Sequence, residues 1–275
     1  PAQIIGVTGT KGKGTTASLV AEILKASGMT VHLVGNIGVP ALSVLPIIQA
    51  KDIVVFELSS FQLWDLQRSP QTAVLLMIEP DHLDVHRSMD EYTQAKANIT
   101  THQAADDLLV HHPINRYVAE IVVNSSANKK RYMTKEGAEV LEEVIVIEDQ
   151  AICDISEVGL IGPHNVENIC AAITASWRFT QDSTAIKKAV TTFRGLPHRL
   201  ELVGEVGGVT YYDDSFSSAP GATMAAVTSF TQPEVLICGG FDRGLDYTEL
   251  AQVLVEQQNL KKVLLIGQTK QSIAE

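Results

Sequence analysis

Near its start the chain reads Thr8-Gly9-Thr10-Lys11-Gly12-Lys13-Gly14-Thr15, with three glycines and two lysines in eight residues. An apolar run precedes it. A helical pattern follows, with Ala17, Val20, Ala21 and Leu24 at i, i+3, i+4 and i+7. Glycines between a strand and a helix let backbone N–H groups converge on an anion at the helix N-terminus. Gly9, Thr10, Lys11, Gly12, Gly14 and Thr16 would line that cradle, Lys13 would add a point charge for outer phosphates, and a threonine hydroxyl would ligate Mg²⁺. The general GxxxxGK[ST] pattern is not met: Val7 stands at its first glycine and Gly14 where a hydroxyl should follow the lysine, so Thr15 is the nearest hydroxyl. Gly12-x-Gly14-x-x-Ala17 also fits a dinucleotide fingerprint, but that reading needs a carboxylate after the second strand, which ends Val34-Gly35-Asn36. A nucleoside triphosphate is the better match.

Other chemistry-bearing residues follow apolar runs, at the edge where doubly wound sheets bind ligands. Glu57 closes Val54-Val55-Phe56, and a carboxylate there suits Mg²⁺; the alternative is a solvated strand end. Asp81-His82-Leu83-Asp84 follows another run; His82 is a metal ligand or a hydrogen-bonded structural histidine. Lys96 lies on a helix fourteen residues later, as a site residue or a solvated lysine. Asn165 and Asn168 sit three apart on a first helical turn, where amides can read an adenine edge or Asn165 can act as an N-cap. Arg199 is placed to reach a phosphate, Asp213-Asp214 to bind ribose hydroxyls or cap a turn, and Gly239 to Gly244 forms a loop carrying Arg243.

The elements needed to hold these residues alternate. Strands are expected at 4–8, 31–34, 53–58, 72–78 and 108–111, and helices at 15–27 and from Asp90 through 98. Residues 115–160 mix β-like pieces, 121–124 and 144–147, with polar stretches in no evident order. Helices return at 165–177 and 186–193; Gly195-Leu196-Pro197 breaks the pattern. A hairpin around Gly207-Gly208 follows, then a helix near 221–229, strands at 235–238 and 262–266, and a helix at 247–257 between them. The fold class is α/β: a phosphate-loop domain over 1–197 with a mostly parallel, helix-flanked sheet, then a partial Rossmann-like α/β domain over 198–275.

Bulk properties narrow the partners. The 275 residues are 45% hydrophobic and carry net charge −11, the wrong sign for a nucleic-acid binder. Cys153, Cys170 and Cys238 form no CxxC pair and fit buried thiols in a reducing cytoplasm. No apolar run approaches a membrane span and no basic-then-apolar leader opens the chain, so a cytoplasmic protein, a monomer with neither membrane nor nucleic acid as partner, is expected.

Taken in order, these motifs resemble the Mur ligases, ATP-dependent amide-forming enzymes of peptidoglycan precursor synthesis. The matching words are Thr8 to Lys13, Gly35-Asn36-Ile37-Gly38, Glu57-Leu58-Ser59-Ser60-Phe61-Gln62-Leu63, Asp81 to Asp84, Tyr92 to Lys96, Gly162 to Asn168, and Gly195-Leu196-Pro197-His198-Arg199. The second and third look like the D-glutamate-adding members. The resemblance implies that D-glutamate is joined to UDP-N-acetylmuramoyl-L-alanine through an acyl phosphate, with ATP and Mg²⁺. It implies that Lys13 binds outer phosphates and that Thr15, Glu57 and His82 serve magnesium. A carbamylated Lys96 would join them, and Asn36 and Ser59 would lie near the muramoyl substrate. Asn165, Asn168 and His198 would surround adenine, Arg199 the phosphates and Asp214 the ribose, with Arg243 near the acceptor. Carbamylation needs a neutral amine, which near pH 7 costs an ordinary lysine about 4–5 kcal/mol. A UDP-binding domain before Pro1 and more C-terminal domain after Glu275 are implied, so the chain as given should bind nucleotide better than it catalyses. Two words depart from the family: Gly14, closer to folylpolyglutamate synthases, and Phe216, where D-glutamate ligases carry lysine. They leave a folylpolyglutamate-type ligase and a non-catalytic nucleotide-binding subunit as alternatives.

Overall fold

Runs of branched apolar residues fill the middle of one six-stranded parallel sheet, ordered β2-β3-β1-β4-β5-β6. The computed structural model describes residues 2–82 and 85–275. Leu83 and Asp84 of the Asp81 motif lie outside the described residues, as does Pro1. The first strands and helices are β1 (Gln3–Thr8), α1 (Lys13–Ala26), β2 (Val31–Gly35), α2 (Ala41–Val44), β3 (Ile53–Glu57), α3 (Ser60–Leu63) and β4 (Thr72–Leu75). Then come α4 (Met89–Thr101), β5 (Leu108–His111), α5 (Arg116–Val123) and β6 (Asn128–Arg131). Ile5, Val7, Val55, Val74 and Val110 are fully buried, as strands covered on both faces require. Helices supply the cover: Ile99 of α4 and Val118 and Ile121 of α5 join Ala73, Leu75 and Leu109 in one core cluster.

The expected strand at 121–124 is instead the end of α5. Asn115 caps that helix by accepting from the Val118 N–H at 3.1 Å, and Val118 and Ile121 face the core at helical spacing. Ser88, not Asp90, caps α4. Strand β6 reads Asn-Lys-Lys-Arg and carried no apolar signal, because an edge strand tolerates charge. Strands β7 (Glu139–Leu141), β8 (Val144–Ile147) and β9 (Gln150–Asp154) form an antiparallel meander. Its tight turns put Glu142, Glu143, Glu148 and Asp149 at positive φ without the glycine that would mark them in sequence. Helices α6 (Pro163–Ser176) and α7 (Ser183–Thr192) follow. Asn165 lies inside α6 and is not its cap.

The described chain divides into two compact units: Pro1–Gly159 with His164–Phe193, and Leu160–Pro163 with Arg194–Glu275. The second unit pairs β10 (Glu201–Val206) antiparallel with β11 (Val209–Asp213). Helix α8 (Pro220–Val227) follows; β12 (Glu234–Gly240) and β13 (Leu260–Gly267) are parallel and joined through α9 (Thr248–Glu256), and α10 (Lys270–Ala274) closes the chain. Among the described residues no helix is long and apolar enough to cross a membrane.

Candidate functional site

The phosphate loop joins β1 to α1, and its geometry depends on Gly12. That residue is the N-cap of α1 at φ 81°, a left-handed conformation. A Cβ there would stand 2.2 Å from Oδ1 of Asn168, on α6. Glycine therefore lets α6 close on the loop. Asn168 Oδ1 accepts from the Thr16 hydroxyl at 3.3 Å, and Asn168 Nδ2 donates to Asn165 Oδ1 at 3.1 Å. Asn165, Asn168 and Thr16 are buried, so these bonds are shielded from water. Thr15 is half-buried one position earlier in the first turn. The loop's other side is tied down by Thr10, whose hydroxyl accepts from the Glu79 N–H at 2.9 Å and lies 3.1 Å from the Tyr92 hydroxyl. Lys11 pairs with Glu79 at 2.9 Å, and Lys13 Nζ donates to the Thr10 carbonyl at 2.9 Å.

Lys96 is no surface lysine. It is 1% exposed. Its Nζ donates to the Gly9 carbonyl at 2.7 Å and lies 4.6 Å from the centroid of the Tyr92 ring, one helical turn back on α4. Burial, then the Lys13 charge, lowers its pKa to about 7, against the pull of the Asp81 and Glu57 carboxylates. Tyr92 is buried as well, and burial pushes its phenol up to about 12, so it stays a neutral partner for Thr10.

Glu57, at the end of β3, is 4% exposed, which discards the solvated strand end. Its backbone lies between Val7 of β1 and Gly35 of β2. Gly35 has φ 123°, and a Cβ there would meet the Glu57 carbonyl oxygen at 2.2 Å. Glu57 Oε2 is buried with no hydrogen-bond partner among the described residues. An orphaned carboxylate oxygen costs free energy unless a cation or donor meets it. The implied magnesium fits that need, since hard cations take carboxylate oxygens.

His82 is half exposed at φ 53°, with Nε2 3.6 Å from Asp81 Oδ2 and its ring edge-on to Phe61 at 5.2 Å. Asn36 is exposed in the bend after β2. Ser59 has a second task, as the N-cap of α3 in a capping box with Gln62. Two further residues of this region escaped the sequence reading. Tyr92 opened a motif without a role, although its i, i+4 spacing to Lys96 was a signal; His86 carried none. A cavity of about 470 Å³ between α4 and α5, lined by Thr93, Gln94, Glu120 and Asn124 among others, contains none of the residues to which the sequence assigns a catalytic, metal or ligand role.

His198, Arg199, Asp214 and Arg243 belong to the second unit. His198 Nδ1 meets Asp213 Oδ2 at 2.7 Å, which raises the imidazole pKa and holds the Asp213 carboxyl down at about 2. Asp214 Oδ1 accepts from the Leu200 N–H at 3.0 Å. The Arg199 guanidinium lies over the Phe216 ring at 4.8 Å, so Phe216 acts here as a face for a cation. Arg243 is exposed in the loop after β12.

Comparison with known proteins gives this arrangement a context. Residues 7–176 match the Mur ligase middle domain. The chain is 41% identical over 99% of its length to the UDP-N-acetylmuramoylalanine--D-glutamate ligase of Acetivibrio thermocellus, and 40% identical over 98% to that of Streptococcus sanguinis. It spans about 60% of the length of these relatives. Among solved structures, MurF from Acinetobacter baumannii superposes with TM-score 0.79 at 19% identity, over 100% of this chain and 65% of that one. A variant of L. casei FPGS gives 0.67 at 16% identity, over 100% and 90%. These two likenesses speak to the fold. The match to the middle-domain model, across β1 to α6, shows that the chain belongs to the Mur ligase family.

Proposed function

We propose that this chain is the nucleotide-binding portion of an ATP-dependent ligase that joins D-glutamate to UDP-N-acetylmuramoyl-L-alanine, acting in the cytoplasm as a monomer. The observation that carries the reading is Lys96, a buried amine 2.7 Å from the Gly9 carbonyl with a pKa lowered to about 7. About half of such amines are neutral at pH 7, so carbamylation there needs little further help. An ordinary structural lysine has no need of this environment. The names of the 35–41% identical relatives favour D-glutamate as acceptor.

The phosphate loop and the first turn of α1 present N–H groups that the helix leaves unpaired, and these receive the triphosphate. Lys13 exchanges its Thr10 carbonyl for outer phosphate oxygens. Glu57, His82, Thr15 and a carbamylated Lys96 would hold Mg²⁺, which when bound would supply positive charge against the phosphoryl oxygens. The Asn168–Thr16 and Tyr92–Thr10 bonds keep the loop in place, so the positive groups need no reorganisation as charge develops. The γ-phosphate passes to the substrate carboxylate, the amine of D-glutamate attacks the acyl phosphate, and amide, ADP and phosphate result. Asn165, Asn168 and His198 are assigned to adenine, Arg199 to phosphates, Asp214 to ribose, Asn36 and Ser59 to the muramoyl substrate, and Arg243 to the acceptor.

Lys13→Ala should abolish Mg²⁺-dependent ATP binding in calorimetry; unchanged affinity refutes the reading. A folylpolyglutamate-type ligase is favoured by Gly14 and by the likeness to L. casei FPGS. Phosphate release by the full-length protein separates the two: UDP-N-acetylmuramoyl-L-alanine with D-glutamate supports release under the first reading, a folate with glutamate under the second. Release with neither leaves a nucleotide-binding subunit.

A further inference from the structure

His86 is fully buried beside the candidate magnesium site and holds three of its segments together. Its imidazole stacks on the Trp64 ring (centroids 4.5 Å apart, planes 17° apart) and on Phe61 (5.4 Å, 15°), and meets Tyr92 edge-on at 5.1 Å. Its Nε2 makes a 3.0 Å hydrogen bond with the hydroxyl of Ser60. Its backbone N–H donates to the His82 carbonyl at 2.9 Å.

Apart from the Trp64 stack, these contacts lead to residues assigned to the magnesium. Ser60 opens α3, three residues beyond Glu57. Phe61 carries the His82 ring on its edge at 5.2 Å. Tyr92 carries the Lys96 amine over its ring and the Thr10 hydroxyl at its own. The segment after β3, the segment after β4 and helix α4 thus meet at one imidazole. A metal site is sensitive to such a meeting point, because a hard cation binds well only when its oxygen and nitrogen donors are already spaced for it.

We propose that His86 is a positioning residue, setting the spacing of Glu57, His82 and Lys96 through its hydrogen bond to Ser60 within the ring stack. This rests on the magnesium-dependent reading above. His86 acts through Ser60, Phe61 and Tyr92 on the residues that would hold the cation, so its effect is read as metal affinity.

The test measures Mn²⁺ binding to the chain by the loss of the free-ion electron paramagnetic resonance signal, with Mn²⁺ alone as probe in bicarbonate-containing buffer. His86→Phe keeps a ring in the stack and removes Nε2; it should weaken Mn²⁺ roughly tenfold, as loss of a group that orients metal ligands does. His86→Gln, which can again reach Ser60, should recover most of the affinity. Glu57→Gln is the control on the underlying reading. If Glu57→Gln weakens Mn²⁺ and His86→Phe does not, the positioning role is overturned and the magnesium reading stands. If Glu57→Gln changes nothing, the magnesium reading fails and the positioning role with it. Equal weakening in His86→Phe and His86→Gln also overturns the proposal, since the bond to Ser60 is then not the cause. Should circular dichroism show His86→Phe unfolded, Ser60→Ala takes its place. It should weaken Mn²⁺ about fivefold for one lost hydrogen bond, and unchanged affinity overturns the proposal.

Discussion

Replacing Lys96 with methionine should stabilise the first compact unit, by an amount that depends on pH in a defined direction. Burial lowers the Lys96 pKa from 10.5 to about 7, so the folded state holds this proton more weakly than the unfolded state. Below about pH 7 both states are protonated and folding bears the full penalty, about 5 kcal/mol at about 1.4 kcal/mol per factor of ten. Between about pH 7 and 10.5 only the unfolded chain keeps the proton, so wild-type stability rises with pH, and above that range the penalty is gone. The penalty falls by about 2 kcal/mol between pH 6 and pH 8.5. The methionine variant lacks this gain, and its advantage over wild type should shrink by the same about 2 kcal/mol. The bond from Lys96 to the Gly9 carbonyl is lost in the variant at every pH and drops out of the comparison. Urea unfolding in carbonate-free buffer measures this directly, because both tryptophans, Trp64 and Trp177, lie in the first unit and report on it alone. A stability difference that is flat from pH 6 to 8.5 would refute the buried, weakly basic amine and, with it, the ground for carbamylation at neutral pH.

Other expectations are more local. Gly12→Ala adds a left-handed strain of roughly 1–2 kcal/mol to a 2.2 Å approach to Asn168. Calorimetry should show nucleotide affinity reduced at least tenfold while circular dichroism shows a folded chain. Gly35→Ala should do worse, since its Cβ meets the Glu57 backbone carbonyl, which no rotamer change can move aside; low soluble yield and a depressed melting temperature are expected. Asp213→Asn removes the first cause of the raised His198 pKa, so the His198 imidazole should titrate lower by NMR and lose its charge earlier as pH rises.

Much of the molecule was legible from residue order alone. The central strands announced themselves because a parallel sheet buried on both faces needs unbroken apolar runs, and the phosphate loop because only glycines allow its turns. The motif words around Glu57, His82, Lys96, Asn165 and Asn168 lie within the stretch that matches the family's middle domain. What sequence could not supply was environment. Glu57 and Lys96 each had a bland surface alternative, and burial in the folded chain removed it for both. Edge strand β6 and the glycine-free turns of the β7–β9 meander left no local signal, since pairing with neighbours defines them. His86 has no pattern at all, because its surroundings come from Ser60, Phe61, Trp64 and Tyr92, which only the folded chain gathers around one ring. Residue types and spacing settled which chemistry was available, and packing decided which side chains lost their water and so could take part in it.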